Sequence, residues 1–94
     1  ATSGDLKVRL SGKSNITTNV GAYSESGIVV TYKGVGVNDK ASISYYFNNI
    51  EYLSKSDLEN AVNAMKNPNT KLTIKYVVSY KGEDVSITRT VTFK

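Results

Sequence analysis

The feature that most constrains this chain is a strict alternation of apolar and polar residues near its carboxyl end. From Leu72 to Tyr80 every second residue is aliphatic or aromatic, which is the period-two pattern of a strand with one buried face. A turn at 81–84 separates this run from a second alternating run, Val85 to Phe93, so the two predict a terminal hairpin. Arg89 falls on the apolar face of the second run, which predicts a bulge or an end-of-core position from which the guanidinium reaches water.

Shorter alternating runs precede this hairpin, and turn residues separate them. They lie at 6–10, 16–20, 28–32 and 41–47, with a glycine-flanked edge piece at 35–37. Closely spaced strands joined by turns are typical of an antiparallel sandwich or barrel. The pattern predicts a mainly β fold of about seven strands.

One stretch has helical periodicity. Ser56 and Glu59 fit a capping box, and apolar residues recur behind them with a spacing of three and four, at Leu58, Ala61, Val62 and Met65. Asn67-Pro68 ends the pattern, which predicts one inserted helix around 56–66. A single helix among strands does not make a parallel α/β sheet.

Composition narrows the functional classes. The 94 residues predict one domain, 1–94, and they include no Cys and no His, so the commonest general base and the thiolate and imidazole metal ligands are missing. We therefore expect no enzyme activity, no cofactor and no metal. No apolar run is long enough to insert into a membrane, and the start of the chain has no signal-peptide pattern and no initiator Met, which favours a processed or excised piece.

An ordered set of motifs resembles the bacterial immunoglobulin-like repeats of cell-surface proteins. The set comprises Leu10 with Gly12, the segment Ile16 to Tyr23, the segment Gly27 to Val30, and the hairpin from Tyr76 to Phe93. The resemblance covers about half of the chain. It implies an antiparallel immunoglobulin-like β-sandwich that is secreted or associated with the cell wall. It also implies a non-catalytic role, as a spacer or an adhesion and binding module of a larger exported protein.

The partners that follow from this interpretation are neighbouring domains of a larger chain and also cell-wall polymers, carbohydrate or another protein. A net charge of +4 favours anionic partners, although scattered surface lysines give the same value. The alternative function is a secreted, inhibitor-like single domain that binds a protein or a carbohydrate. Nucleic-acid binding is not expected. Tyr76 and Tyr80 each neighbour a lysine, but both tyrosines share a face with core residues and so do not form an exposed stacking surface.

Candidate binding residues are few. We expect Tyr23, Tyr46 and Tyr52 to lie on outward faces or loops, where tyrosine favours protein or sugar contacts. Oxygen atoms from residues in two predicted turns could in principle hold calcium, but their spacing matches no calcium-binding loop; they belong to Asn38, Asp39, Glu83 and Asp84.

Overall fold

The alternating segments form strands that assemble into two sheets. A computed structural model describes residues 1–94. The strands are β1 (Thr2–Ser3), β2 (Leu6–Leu10), β3 (Asn15–Thr18), β4 (Ile28–Tyr32), β5 (Val35–Gly36), β6 (Ser42–Phe47), β7 (Ile50–Tyr52), β8 (Thr70–Tyr80) and β9 (Glu83–Phe93), and the helix is α1 (Lys55–Asn63). The prediction of a mainly β, two-sheet fold with one helix is confirmed. The structure has two strands more than the expected seven, because two-residue β1 and three-residue β7 are too short to show an alternation.

The two sheets have four and five strands. Their orders are β1-β2-β4-β5 and β3-β9-β8-β6-β7. All neighbours are antiparallel except β3 and β9, which run parallel with Asn15 opposite Thr90 and Thr18 opposite Phe93. The expectation of a wholly antiparallel sandwich is therefore wrong at this one pair, where β3 pairs with β9 in the parallel direction.

The long terminal hairpin supplies two inner strands of the five-stranded sheet. β8 and β9 pair over their full eleven residues, and Lys81 and Gly82 form the turn with φ values of 51° and 78°. Two consecutive positive φ angles define the type I′ turn, whose twist matches that of the paired strands. The pairing is continuous through Arg89, which lies opposite Ile74, so the predicted bulge does not exist.

A second hairpin joins β6 to β7. Asn48 and Asn49 form its turn, again with two positive φ values, 54° and 64°. Asparagine tolerates this left-handed conformation better than other side chains. The turn places Tyr46 opposite Glu51 across the two strands.

The helix begins one residue earlier than predicted and ends three residues earlier, before the proline. Ser54, not Ser56, is the N-cap, and its hydroxyl accepts a hydrogen bond from the backbone N–H of Asp57 at 3.1 Å. The expected capping box is wrong, since the Glu59 carboxylate accepts from the backbone N–H of Glu25 instead. Leu58 and Val62 are the fully buried residues of the helix, as its apolar spacing predicts.

The core lies between the two sheets and beneath α1, which packs against β6 and β7. Its buried apolar residues form one continuous cluster, drawn from β2, β4, the helix and the inner faces of β6, β8 and β9, with Tyr23 and Val37 from the connections. The molecule is elongated, about 41 × 21 × 18 Å. The helix of this structure lacks the length and apolar character that crossing a bilayer requires.

Candidate functional site

The outer face of the five-stranded sheet carries the largest surface concavity. Along β8 the residues with odd numbers point outward, because Leu72, Ile74, Tyr76 and Val78 fill the core. One row across the sheet places Glu51 of β7, Tyr46 of β6, Lys75 of β8 and Thr88 of β9 side by side. A polar row that crosses four strands is therefore open to solvent.

A groove with a volume of about 370 Å³ lies in this row. We call it the Tyr46 groove, and its lining consists of Tyr46, Asn48, Asn49, Thr73, Lys75 and Val77. The volume falls at the small end of the range found for ligand pockets. Strand register positions the side chains on β6 and β8, and the two asparagines come from the β6–β7 turn.

A hydrogen bond fixes the tyrosine of the groove. The Tyr46 hydroxyl donates to Glu51 Oε2 at 2.8 Å, and this bond is the main reason that the pKa of the exposed phenol is raised. The Glu51 carboxylate is thereby occupied, whereas Lys75 makes no ion pair within 4 Å, since Arg89 and Glu25 form the one such pair in the protein. Likewise, no hydrogen bond within the chain uses the side-chain amides of Asn48 and Asn49, so the groove presents free donors and acceptors.

A second concavity adjoins the first around the Asn48–Asn49 turn. Its volume is about 300 Å³, and it shares Asn48, Asn49 and Thr73 with the Tyr46 groove. Its other lining residues include Lys71 and Met65, the latter just beyond α1. The two concavities thus meet at the Asn48–Asn49 turn, with Lys75 beside one and Lys71 beside the other.

The second notable constellation is inside the protein. Arg89 is fully buried, and its Nη1 lies 3.1 Å from Glu25 Oε2; the side chains of the pair are 0% and 1% exposed. The guanidinium also donates to the backbone carbonyl oxygens of Ser11 at 2.5 Å and Gly27 at 3.3 Å, while its Nε has no partner. The prediction that Arg89 reaches water is wrong, because a carboxylate enters the core to meet it.

Two tyrosines complete this buried cluster. The hydroxyls of Tyr23 and Tyr76 donate to Glu25 at 2.7 and 2.9 Å. Burial is the largest cause of the rise in the pKa of both phenols, and the negative charge of Glu25 adds to it; the pKa of Tyr23 rises to about 12. Burial alone would lower the pKa of Arg89, but its tyrosine and glutamate neighbours outweigh that effect and the pKa rises.

The cluster holds the connection between β3 and β4 against the rest of the fold. Glu25 lies in this connection, and the side chain of Asn63 in α1 binds Tyr23 twice: it accepts from the backbone N–H and donates to the backbone carbonyl, both at 2.9 Å. Neither Glu25 nor Arg89 lines any of the three surface concavities. The cluster therefore lies away from all three concavities and joins the β3–β4 connection to β9 and α1.

The three tyrosines that we expected to be exposed lie in different environments. Tyr23 is only 2% exposed, so its prediction as an outward residue is wrong; Glu25 and Asn63 bind it inside the protein. Tyr52 is half-buried and packs against the core from β7, opposite Tyr45. Only Tyr46 lies on an open face with other polar groups around it.

Sequence reasoning missed Glu25, Asn48, Asn49 and Lys75. The signal for Glu25 was Arg89 itself, because a cation at a core position needs a buried anion as a partner.

Three of the four turn residues considered for calcium have other partners, and Asp39 makes no side-chain hydrogen bond. The Asn38 amide bonds the backbone of Val30 and Ile28, Asp84 accepts from the Ser79 hydroxyl, and Glu83 accepts from the Ser3 hydroxyl. No group of three or more carboxylates lies close enough together to hold a metal ion. The oxygen atoms of these turns therefore do not form a cluster that could bind calcium.

Comparison with protein-family models, with curated proteins and with solved structures finds no match for this chain.

Proposed function

We propose that this chain is a non-catalytic, immunoglobulin-like module of a larger exported bacterial protein, which presents the outer face of its five-stranded sheet to a partner. One observation carries the proposal. The buried charges, Arg89 and Glu25, neutralise each other inside the fold, whereas the unpaired polar groups of the Tyr46 groove gather on one open face. A fold arranged in this way offers polar groups on its surface for contact, while its one ion pair is enclosed.

The motif resemblance and the shape support this proposal. Gly12 and Gly27, which belong to the immunoglobulin-like motifs, have φ values of 85° and 82°, a backbone conformation that other residues adopt at a cost. The long hairpin of the resemblance is the centre of the five-stranded sheet. The length of about 41 Å also suits a module that holds a surface away from its attachment.

The proposal is tested by locating the protein on the cells that make it. An antibody against the folded domain should label intact cells, because an exported module is accessible from outside. A cytoplasmic marker on the same cells, labelled only after permeabilisation, is the control. Labelling of the domain that also requires permeabilisation would contradict the proposal.

A second candidate function is a protein-binding, inhibitor-like domain. It is favoured by two exposed apolar residues beside α1, Ile50 and Leu53, whose side chains are 51% and 74% exposed. Apolar residues exposed near each other are one mark of a protein contact surface. Cross-linking of the purified domain to secreted proteins, lost in the variant Ile50→Ser/Leu53→Ser and kept in Val35→Ser, would favour this candidate.

A further inference from the structure

We propose that the Tyr46 groove and its continuation toward Lys71 bind an acidic polysaccharide chain, that is, a saccharide whose sugars carry carboxylates. This inference rests on the proposed function and names the ligand class of the same face. Four observations carry it: the free cations, the free amides, the fixed aromatic ring and the length of the path.

The cations select an anionic ligand. Lys71 and Lys75 both point outward from β8 and are exposed, and neither forms an ion pair. The one carboxylate in the row, that of Glu51, lies on β7, two strands away from β8, and forms no ion pair with either lysine. The positive charge along β8 is therefore available to a ligand, and it attracts anions most strongly at low ionic strength.

The neutral groups select hydroxyls and a sugar ring. Each of Asn48 and Asn49 offers two N–H donors and a carbonyl acceptor, and Thr73 adds a hydroxyl. Sugar hydroxyls both donate and accept, so they match such groups. Tyr46 gives a flat apolar ring whose orientation is held by the 2.8 Å bond to Glu51, and the C–H face of a pyranose can lie on such a ring.

The spacing selects a chain rather than a single sugar. Lys71 and Lys75 are four residues apart on one face of a strand, which places their backbones about 13 Å apart. The two concavities adjoin around the Asn48–Asn49 turn, so one extended ligand can contact both lysines. A monosaccharide with one carboxylate can reach only one of them.

The same features weigh against a nucleic acid. Single-stranded nucleic acids bind platforms of several aromatic residues within a strongly basic groove. This face has one tyrosine and two lysines along the groove, Lys71 and Lys75, which falls short of such a platform. The saccharide is accordingly the ligand that the groove favours.

Binding to an oligogalacturonate tests the proposal, with the neutral maltooligosaccharide of equal length and a single-stranded oligonucleotide as the other probes. By calorimetry, the wild-type protein should bind the oligogalacturonate saturably, more weakly as salt rises, and in preference to both other probes. Lys71→Gln/Lys75→Gln should raise the Kd about tenfold or more. The matched variant Lys7→Gln/Lys13→Gln, which removes two exposed lysines elsewhere, should leave the Kd unchanged.

Two further variants test the ring. Tyr46→Ala should weaken binding most, and Tyr46→Phe, which keeps the ring but frees it from Glu51, should weaken binding to a smaller extent. Circular dichroism confirms that each variant is folded.

Several outcomes would overturn the proposal: no saturable binding of the oligogalacturonate, equal binding of the neutral oligosaccharide, tighter binding of the oligonucleotide, or an equal loss in the Lys7/Lys13 control. Each leaves the proposed function standing if the antibody labels intact cells. If the antibody fails to label intact cells but the saccharide still binds, the proposed function is contradicted and the ligand proposal stands.

Discussion

Arg89 occupies a position that the alternation of β9 assigns to an apolar side chain. Its charge is tolerated there because Glu25 arrives from a connection 64 residues earlier in the chain and supplies an anion within hydrogen-bonding distance. Removing two charges from water costs several kcal/mol each, and good geometry with additional hydrogen bonds offsets that cost. The tyrosine hydroxyls and backbone carbonyls around the pair provide those bonds.

We expect Arg89→Met to lower the free energy of unfolding by about 3–5 kcal/mol, because it leaves the Glu25 carboxylate buried without its cation. The double variant Glu25→Gln/Arg89→Met should lose less than the sum of the two single variants, since no unpaired charge remains. Urea unfolding of the variants Glu25→Gln, Arg89→Met and Glu25→Gln/Arg89→Met measures these losses against the wild type. Arg9→Met, which removes an exposed arginine from β2, is the control and should change the free energy by no more than about 0.5 kcal/mol. If Arg89→Met lost no more stability than this control, water would have to reach the guanidinium in the folded protein.

Tyr23 should make the protein sensitive to alkali. Burial raises the pKa of its hydroxyl to about 12 in the folded state, against an ordinary value of 10.0. The folded protein then holds the proton more tightly than the unfolded chain, so this contribution to stability is complete below pH 10 and is lost as the pH rises toward 12. In that window the free energy of unfolding of Tyr23→Phe should fall with pH less steeply than that of the wild type. The two slopes should differ by about 1.4 kcal/mol per pH unit. Thermal unfolding followed at a series of pH values measures the difference, and equal slopes would contradict the argument.

At the scale of elements, the chain shows which structures depend on neighbouring residues and which on distant ones. The β8–β9 hairpin could be predicted from its alternation, and the helix from the spacing of Leu58 and Val62. The parallel pairing of β3 with β9 could not, because it depends on contacts between segments about 75 residues apart. Nor could the burial of Tyr23, since no periodicity marks a connection that folds inward.

The candidate site was predictable only in part. Tyr46 could be identified as an outward tyrosine from its parity in β6, but its surroundings come from the strand register and the β6–β7 turn. Lys75 joins it because β8 happens to pair with β6 in that register. Pairing partners of this kind are set by the tertiary fold and not by local pattern.

The attachment of the β3–β4 connection to α1 can be tested at Asn63. Its amide satisfies both backbone groups of Tyr23, so Asn63→Ala leaves two partly buried polar groups unpaired and should cost about 1–3 kcal/mol. Asn60 lies one turn earlier on the exposed side of the same helix, and Asn60→Ala should change stability by about 0.5 kcal/mol or less. Chemical denaturation of the two variants gives the comparison. Equal effects would show that the amide contributes nothing specific.

For the whole molecule, we expect a single unfolding transition. The buried apolar residues of both sheets and the helix form one cluster, and the Glu25–Arg89 pair joins the β3–β4 connection to the last strand. Loss of any one layer exposes the others, which is the condition for two-state behaviour in a small domain. Circular dichroism, which reports the helix and the sheets, and tyrosine fluorescence, which reports the core, should give the same midpoint in urea. A separate, earlier transition in the dichroism signal would show that α1 unfolds independently.

The parallel contact between β3 and β9 also has a consequence for biosynthesis. Asn15–Thr18 emerges from the ribosome early, yet its partner is the last strand to be made. Strand β3 must therefore wait without its sheet partner until the segment up to Phe93 has been made, and pairing over so long a separation is slow.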